Sequence, residues 1–159
     1  MQPELSKIRI EYLTKSQLHE LEVINRAIFN EERIINRTDH EFMIILRACL
    51  QDITVGFKVG YGRKKGVFYS AKGGVLSDYR RHGIAEKLMA EMMHAATFLG
   101  YTEFQYDTFP NLHPGMLILG LNKGFRVIEA KYNAQYKDFQ ITLMKPLKRE
   151  VHPPFKVLK

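Results

Sequence analysis

The chain has 159 residues, 45% of them hydrophobic, and 24 lysines and arginines against 17 aspartates and glutamates give a formal net charge of +7. That length holds one sizeable core rather than two, so a single domain over 1–159 is expected, with about 147–159 as a C-terminal arm that packs locally, frays or covers a partner subunit. The lone Cys49 excludes an internal disulfide and a zinc cluster of cysteines; no run reaches the roughly eighteen apolar residues of a membrane helix, and the charged start Met1-Gln2-Pro3-Glu4 leads us to expect a cytoplasmic protein.

Ile8 to Tyr12 alternates like a first strand, and Thr14 to Phe29 reads as an amphipathic helix with Leu18, Leu21, Val23, Ile24 and Ile28 on its apolar side. Arg33 to His40 is polar, and predicts irregular chain or a short second helix. Glu41 to Leu50 fits a buried strand or a helix, and the Gln51-Asp52 turn followed by the strand Thr54 to Tyr61 favours a hairpin. The cluster Arg63-Lys64-Lys65 between Gly62 and Gly66 reads as a solvated turn.

Val67 to Ala71 predicts the next strand, and Gly73-Gly74-Val75-Leu76 leads into a turn at Ser77-Asp78-Tyr79. Then come Arg80-Arg81-His82-Gly83-Ile84-Ala85 at the mouth of a helix whose Ile84, Leu88, Met92, Ala95, Ala96 and Leu99 recur at helical spacing until Gly100 stops it. Cations at a helix start oppose its dipole. An anion held there by main-chain N–H groups resolves that conflict, and the small residues let the backbone close on it, so this turn is a candidate pyrophosphate pocket. Met89, Met92, Met93 and Met116 read as core filler.

Glu103 to Thr108 predicts a strand with Phe104, Tyr106 and Thr108 on one face and Asp107 on the other. A short helix from about Gly115 to Lys123 follows Pro114 and ends at Gly124, and Arg126 to Tyr132 and Phe139 to Met144 alternate as a terminal antiparallel pair.

The R-x-x-G-x-A run, with Val75 to Arg80 as its approach, resembles the acetyl-CoA signature of the GNAT acyltransferase superfamily. A second block agrees: His113, Met116 and Gly124-Phe125 echo the family's late polar, small-or-Met and Gly-Phe positions. The resemblance spans about Lys7 to Pro146. It implies an α/β fold with a mixed, mostly antiparallel six- to seven-stranded sheet, helices on both faces and a splayed central parallel strand pair. It implies acetyl-CoA as cosubstrate, without a metal, held by Gly74, Val75, Arg80, Arg81, His82, Gly83, Ile84, Ala85, His113 and Met116. Main-chain N–H groups near Gly74 and Val75 would cradle the oxyanion.

The implied reaction is direct attack of a primary amine, on a small molecule or a protein, upon the thioester. A noncatalytic acyl-CoA sensor or regulatory subunit is the alternative. The family's usual acid, a Tyr four residues before the Gly of Gly-Phe, is replaced by Gly120, which admits a cofactor atom or a bulky neighbour, and the position of a general-base Glu in some relatives is Tyr69. Asp107, His113 and Tyr69 are the remaining candidates. Asp107 could take a proton through water or cap the next turn; His113 suits proton shuttling or capping of the following helix; Tyr69 and Tyr106 line or support the cleft. The basic residues form no stripe and no surface aromatics are stacked, so nucleic acid is not an expected partner, nor is a membrane, whereas a homodimer is compatible with the resemblance.

Overall fold

The computed structural model describes residues 7–148, so the start Met1–Glu4 and the tail segment Val151–Phe155 lie outside the described residues. In chain order the elements are β1 (Ile8–Leu13), a 3-10 segment (Lys15–Leu21), α1 (Glu22–Phe29), β2 (Ile44–Leu50), β3 (Ile53–Lys64), β4 (Val67–Val75), a 3-10 turn (Ser77–Tyr79), α2 (Ile84–Phe98), β5 (Glu103–Thr108), α3 (Pro114–Asn122), β6 (Arg126–Asn133) and β7 (Asp138–Pro146). The strands form one seven-stranded sheet in the order β1-β2-β3-β4-β5-β7-β6. Every pairing is antiparallel except β4 with β5.

Side-chain alternation along the strands sorts the core into two layers. The 3-10 segment and α1 place Leu21 and Ile24 on one face, against Ile45, Phe57 and Val59. On the other, α2 lays Ile84, Leu88, Met92 and Ala96 over Phe68, Phe104 and Leu143, with Leu117 and Leu119 of α3 beside them. Burying Phe57, Phe68 and Phe104 completely is worth about 1.5–3 kcal/mol each. Cys49 is a buried residue of β2, in the manner of a small hydrophobe.

Two local readings are corrected and one is resolved as the favoured hairpin. The stretch Thr14 to Phe29 is not one α-helix, since Lys15–Leu21 is 3-10, and Val23 does not belong to its apolar side: at about 100° per residue it points away from Leu21 and Ile28 and is 76% exposed. The ambiguity at Glu41 to Leu50 resolves as strand, because Phe42 adopts a left-handed φ of 54° that bars a helix there, and Gln51, also at 54°, makes the hairpin turn. Leu99 is 41% exposed because α2 ends at Phe98, just before Gly100 at φ 96°.

The decisive feature lies at the centre of the sheet. β4 and β5 pair only over Val67–Ser70 and Glu103–Tyr106. A register shift opposite Val59/Gly60 then bends β4, which stays with β3 as far as Val75 while β5 stays with β7 as far as Thr108. A gap opens between the carboxyl halves of two parallel strands, where α/β sheets hold ligands.

Candidate active site

Because β4 and β5 are parallel, the helices that come after them, α2 and α3, both begin at the mouth of this gap. At the α2 entrance the backbone is shaped for an anion. Arg81 and Gly83 both adopt left-handed φ, 63° and 79°, an alternation that turns consecutive N–H groups inward as a nest. Gly83 is the N-cap and supplies no side-chain cap, so the N–H groups of Ile84, Ala85 and Glu86 open the helix without an intrahelical acceptor. Left-handed geometry is cheap at Gly83 and costs about 1 kcal/mol at Arg81, a strain the sequence did not announce.

The other signature residues divide their work. Arg80 folds back, its Nε donating 2.9 Å to the carbonyl of Val75, which ties the loop to the end of β4. Ile84 is 1% exposed and Ala85 packs against the same core, so both meet the mouth only through main chain. His82 is half-buried between the exposed Arg81 and Gly83.

On β4, Gly74 turns its carbonyl toward Gly56 of β3, and Leu76 donates its N–H to Val55 at 2.9 Å. Strand alternation then points the N–H groups of Gly73 and Val75 at the open edge. Of the expected cradle pair only Val75 faces the gap, and Gly73 joins it. On the α3 lip, His113 is the exposed residue before Pro114 and makes no side-chain cap hydrogen bond, which overturns its capping role. Met116 is half-buried, and its carbonyl accepts a 2.7 Å hydrogen bond from Tyr106 Oη. The bulky neighbour that Gly120 admits is that same tyrosine.

Two catalytic candidates meet on the α1 face of the sheet. Tyr69 Oη donates 2.6 Å to Asp107 Oδ2, and Thr142 Oγ1 donates 2.5 Å to Oδ1. Asp107 is thus bound across three strands and does not cap the turn after β5. Burial, and then the Asp107 hydrogen bond, pushes the Tyr69 phenol far above its ordinary value. In this pair the phenol is the donor. The Arg63 guanidinium lies 4.5 Å over the Tyr69 ring, Tyr61 sits 5.7 Å from it, and His40 stacks on Tyr61 at 3.6 Å. Thr142, Tyr61 and His40 escaped sequence reasoning, since strand register brings Thr142 to Asp107 and Tyr61 to Tyr69, and the loop before β2 lays His40 on Tyr61. His113 lies beyond β5 at the α3 entrance and makes no hydrogen bond to this network.

Among the described residues no cluster of three or more His, Cys, Asp or Glu side chains could hold a metal, and no helix is long and apolar enough to cross a membrane. No family model and no curated protein sequence matches the chain. Solved structures do. An IAA acetyltransferase from Bacillus cereus ATCC 14579 superposes with a TM-score of 0.76 at 18% identity, over 88% of this chain and 99% of that one. A GNAT-family acetyltransferase from Streptococcus pneumoniae gives 0.71 at 13%, over 89% and 99%. Arabidopsis thaliana NAA60 in complex with acetyl-CoA gives 0.68 at 15%, over 88% and 98%. With its seven-stranded order, its one splayed parallel pair and helices on both faces, this chain has the GNAT acetyltransferase fold.

Proposed function

We propose that the protein is an acetyl-CoA-dependent N-acetyltransferase. The observation that carries this reading is the conjunction, at one point, of an open gap between β4 and β5 with an uncapped helix start behind a left-handed Arg81–Gly83 nest. A pyrophosphate fits the nest and the first turn of α2, with Arg80 and Arg81 supplying charge, and an extended pantetheine arm fits the gap against the N–H groups of Gly73 and Val75. Val75, His82, Gly83, Ile84, Ala85, His113 and Met116 complete the cofactor surface.

The acceptor approaches from the α1 face. A primary amine must arrive neutral, and Asp107 is the group there to take its proton, directly or through one water. Tyr69 and Thr142 hold the carboxylate in place. The amine then attacks the thioester carbon, the oxyanion is met by the Val75 and Gly73 N–H groups, and the thiolate departs without needing a strong acid. A cytoplasmic setting suits both the cosubstrate and a single unpaired thiol.

Calorimetry with acetyl-CoA on the wild type and on Gly83→Glu tests the reading, since the glutamate puts bulk and negative charge where the pyrophosphate sits. Micromolar binding that vanishes in the folded variant supports it, and no binding to the wild type ends it. The filled position at Gly120 favours a second reading, a noncatalytic acyl-CoA sensor. Binding without thiol release across a library of primary amines selects that one. The exposed edge of β6 and its neighbour, with Val127, Ile128, Tyr132 and Phe139, suits a homodimer, which sedimentation equilibrium decides.

A further inference from the structure

Lys58 stands in the middle of β3, 6% exposed, paired across the sheet with Leu46 of β2 and Gly73 of β4. Strand alternation puts it on the α2 face together with Gly56 and Gly60, whose missing side chains face Leu88 and Met92. A charged amine in such surroundings is costly unless it is paired. Among the described residues none offers Lys58 a hydrogen bond or a carboxylate, and burial alone pushes its amine down to about 8, leaving an appreciable neutral fraction near neutral pH.

The stem has a definite direction. A Cβ placed on Gly73 would stand 3.2 Å from Lys58 Cγ, so the lysine lies over the bare backbone of that glycine. A side chain continued in that direction reaches one strand spacing, about 5 Å, from β3. At that level β4 no longer borders β5, which parted from it after Ser70 and Tyr106; it borders the gap. Lys58 is therefore a buried, unpartnered amine whose stem leads over Gly73 toward the gap, on the face that α2 covers.

Resting on the reading that an acyl-CoA thioester occupies this gap, we propose that Lys58 is a self-acylation site, taking the acyl group from the thioester bound beside it. The Nζ lone pair forms a bond to the thioester carbonyl carbon and the carbon–sulfur bond breaks. The proton that nitrogen gives up goes to the departing thiolate. The products are an Nε-acyl-lysine and the free thiol of coenzyme A. The amide carries no charge, so the cost of burying an ammonium disappears, and the acyl group comes to rest in the gap. Acylated protein accordingly holds acyl-CoA less tightly than unmodified protein, and the modification limits further binding.

The test uses the full chain and acetyl-CoA, with binding followed by calorimetry and acetylation mapped by peptide mass spectrometry on the same preparation. The expected result is acetyl on Lys58 well ahead of the exposed Lys64 and Lys65, with the Lys58 reaction alone suppressed by excess coenzyme A thiol. Intact binding with Lys58 unmodified, or modified at a rate the thiol does not change, overturns self-acylation and leaves the cofactor reading standing. Absence of binding overturns both. Lys58→Arg should lose this modification and no other; if that variant does not fold, the thiol competition on the wild type decides by itself.

Discussion

The hydroxyl of Tyr106 stands where a β-carbon on Gly120 would have to go, and from there it donates 2.7 Å to the carbonyl of Met116. A strand residue and a helix residue thus share one volume. Gly120→Ala should gain about 1 kcal/mol of helix propensity and lose more than that to overlap with Tyr106 Oη and Leu143 Cδ2, for a net loss of about 1–2 kcal/mol. Thermal unfolding should register this as a fall of several degrees. Tyr106→Phe alone should cost about 1 kcal/mol, and the double variant should recover about 1 kcal/mol of the summed losses, a coupling that a double-mutant cycle reads directly.

Arg81 holds a left-handed φ of 63° without being glycine. Arg81→Gly should therefore keep or raise the melting temperature, since about 1 kcal/mol of strain is relieved, while acetyl-CoA affinity drops about tenfold with loss of a charge-assisted phosphate contact. Calorimetry and thermal unfolding must move in opposite senses. A parallel fall in both would mean that the side chain supports the loop rather than the ligand.

Lys58 predicts a stability that depends on alkaline pH. Its folded value is about 8 against an ordinary 10.5, so between those limits the unfolded chain binds the extra proton and stability rises with pH. Lys58→Met, close in volume, should stabilise the protein at pH 7 by up to about 3 kcal/mol, and the advantage should shrink steadily as pH rises from 8 to 10.5. Urea unfolding midpoints of the two proteins across that range check it.

Tyr69 has the opposite sign. Its phenol is held protonated above the ordinary 10.0, so its contribution is full below pH 10 and falls as pH climbs further, where the unfolded chain has already lost that proton. Tyr69→Phe should cost about 1 kcal/mol at pH 7, and its unfolding curve should converge on that of the wild type above pH 10.

Asp107→Asn keeps the shape of the Tyr69–Asp107–Thr142 network and removes its base. Turnover with a competent amine should fall about 100-fold or more, with the KM for acetyl-CoA little changed, because the carboxylate faces the acceptor side and the cofactor lies in the gap. An equal fall in cofactor affinity would place Asp107 in binding instead.

Local chemistry was legible in the residues themselves. Gly83 and Gly100 take positive φ where a turn into or out of α2 demands it, Gly124 does the same after α3, and alternation located the strands to within a few residues, because these features depend on neighbours three or four positions away. The outward direction of Val23 was readable from helical spacing, since it stands two residues from Leu21 and five from Ile28, whereas the 3-10 character of Lys15–Leu21 has no signal in the composition. The site itself was beyond local reading: Tyr69 meets Asp107 across 38 residues of chain and Thr142 reaches it across 35. Lys58 carries no local mark within the strand Thr54 to Tyr61. Its burial comes from α2 crossing over that face, which has no local signal. Backbone conformation is set by each residue and its near neighbours, so the sequence alone determined the turns and the helix start at Gly83, while the left-handed Arg81 that completes the anion nest showed only in the structure. Which side chains share a cleft depends on strand register and the direction of crossover, and those are decided only when distant segments pack together to bury a common core.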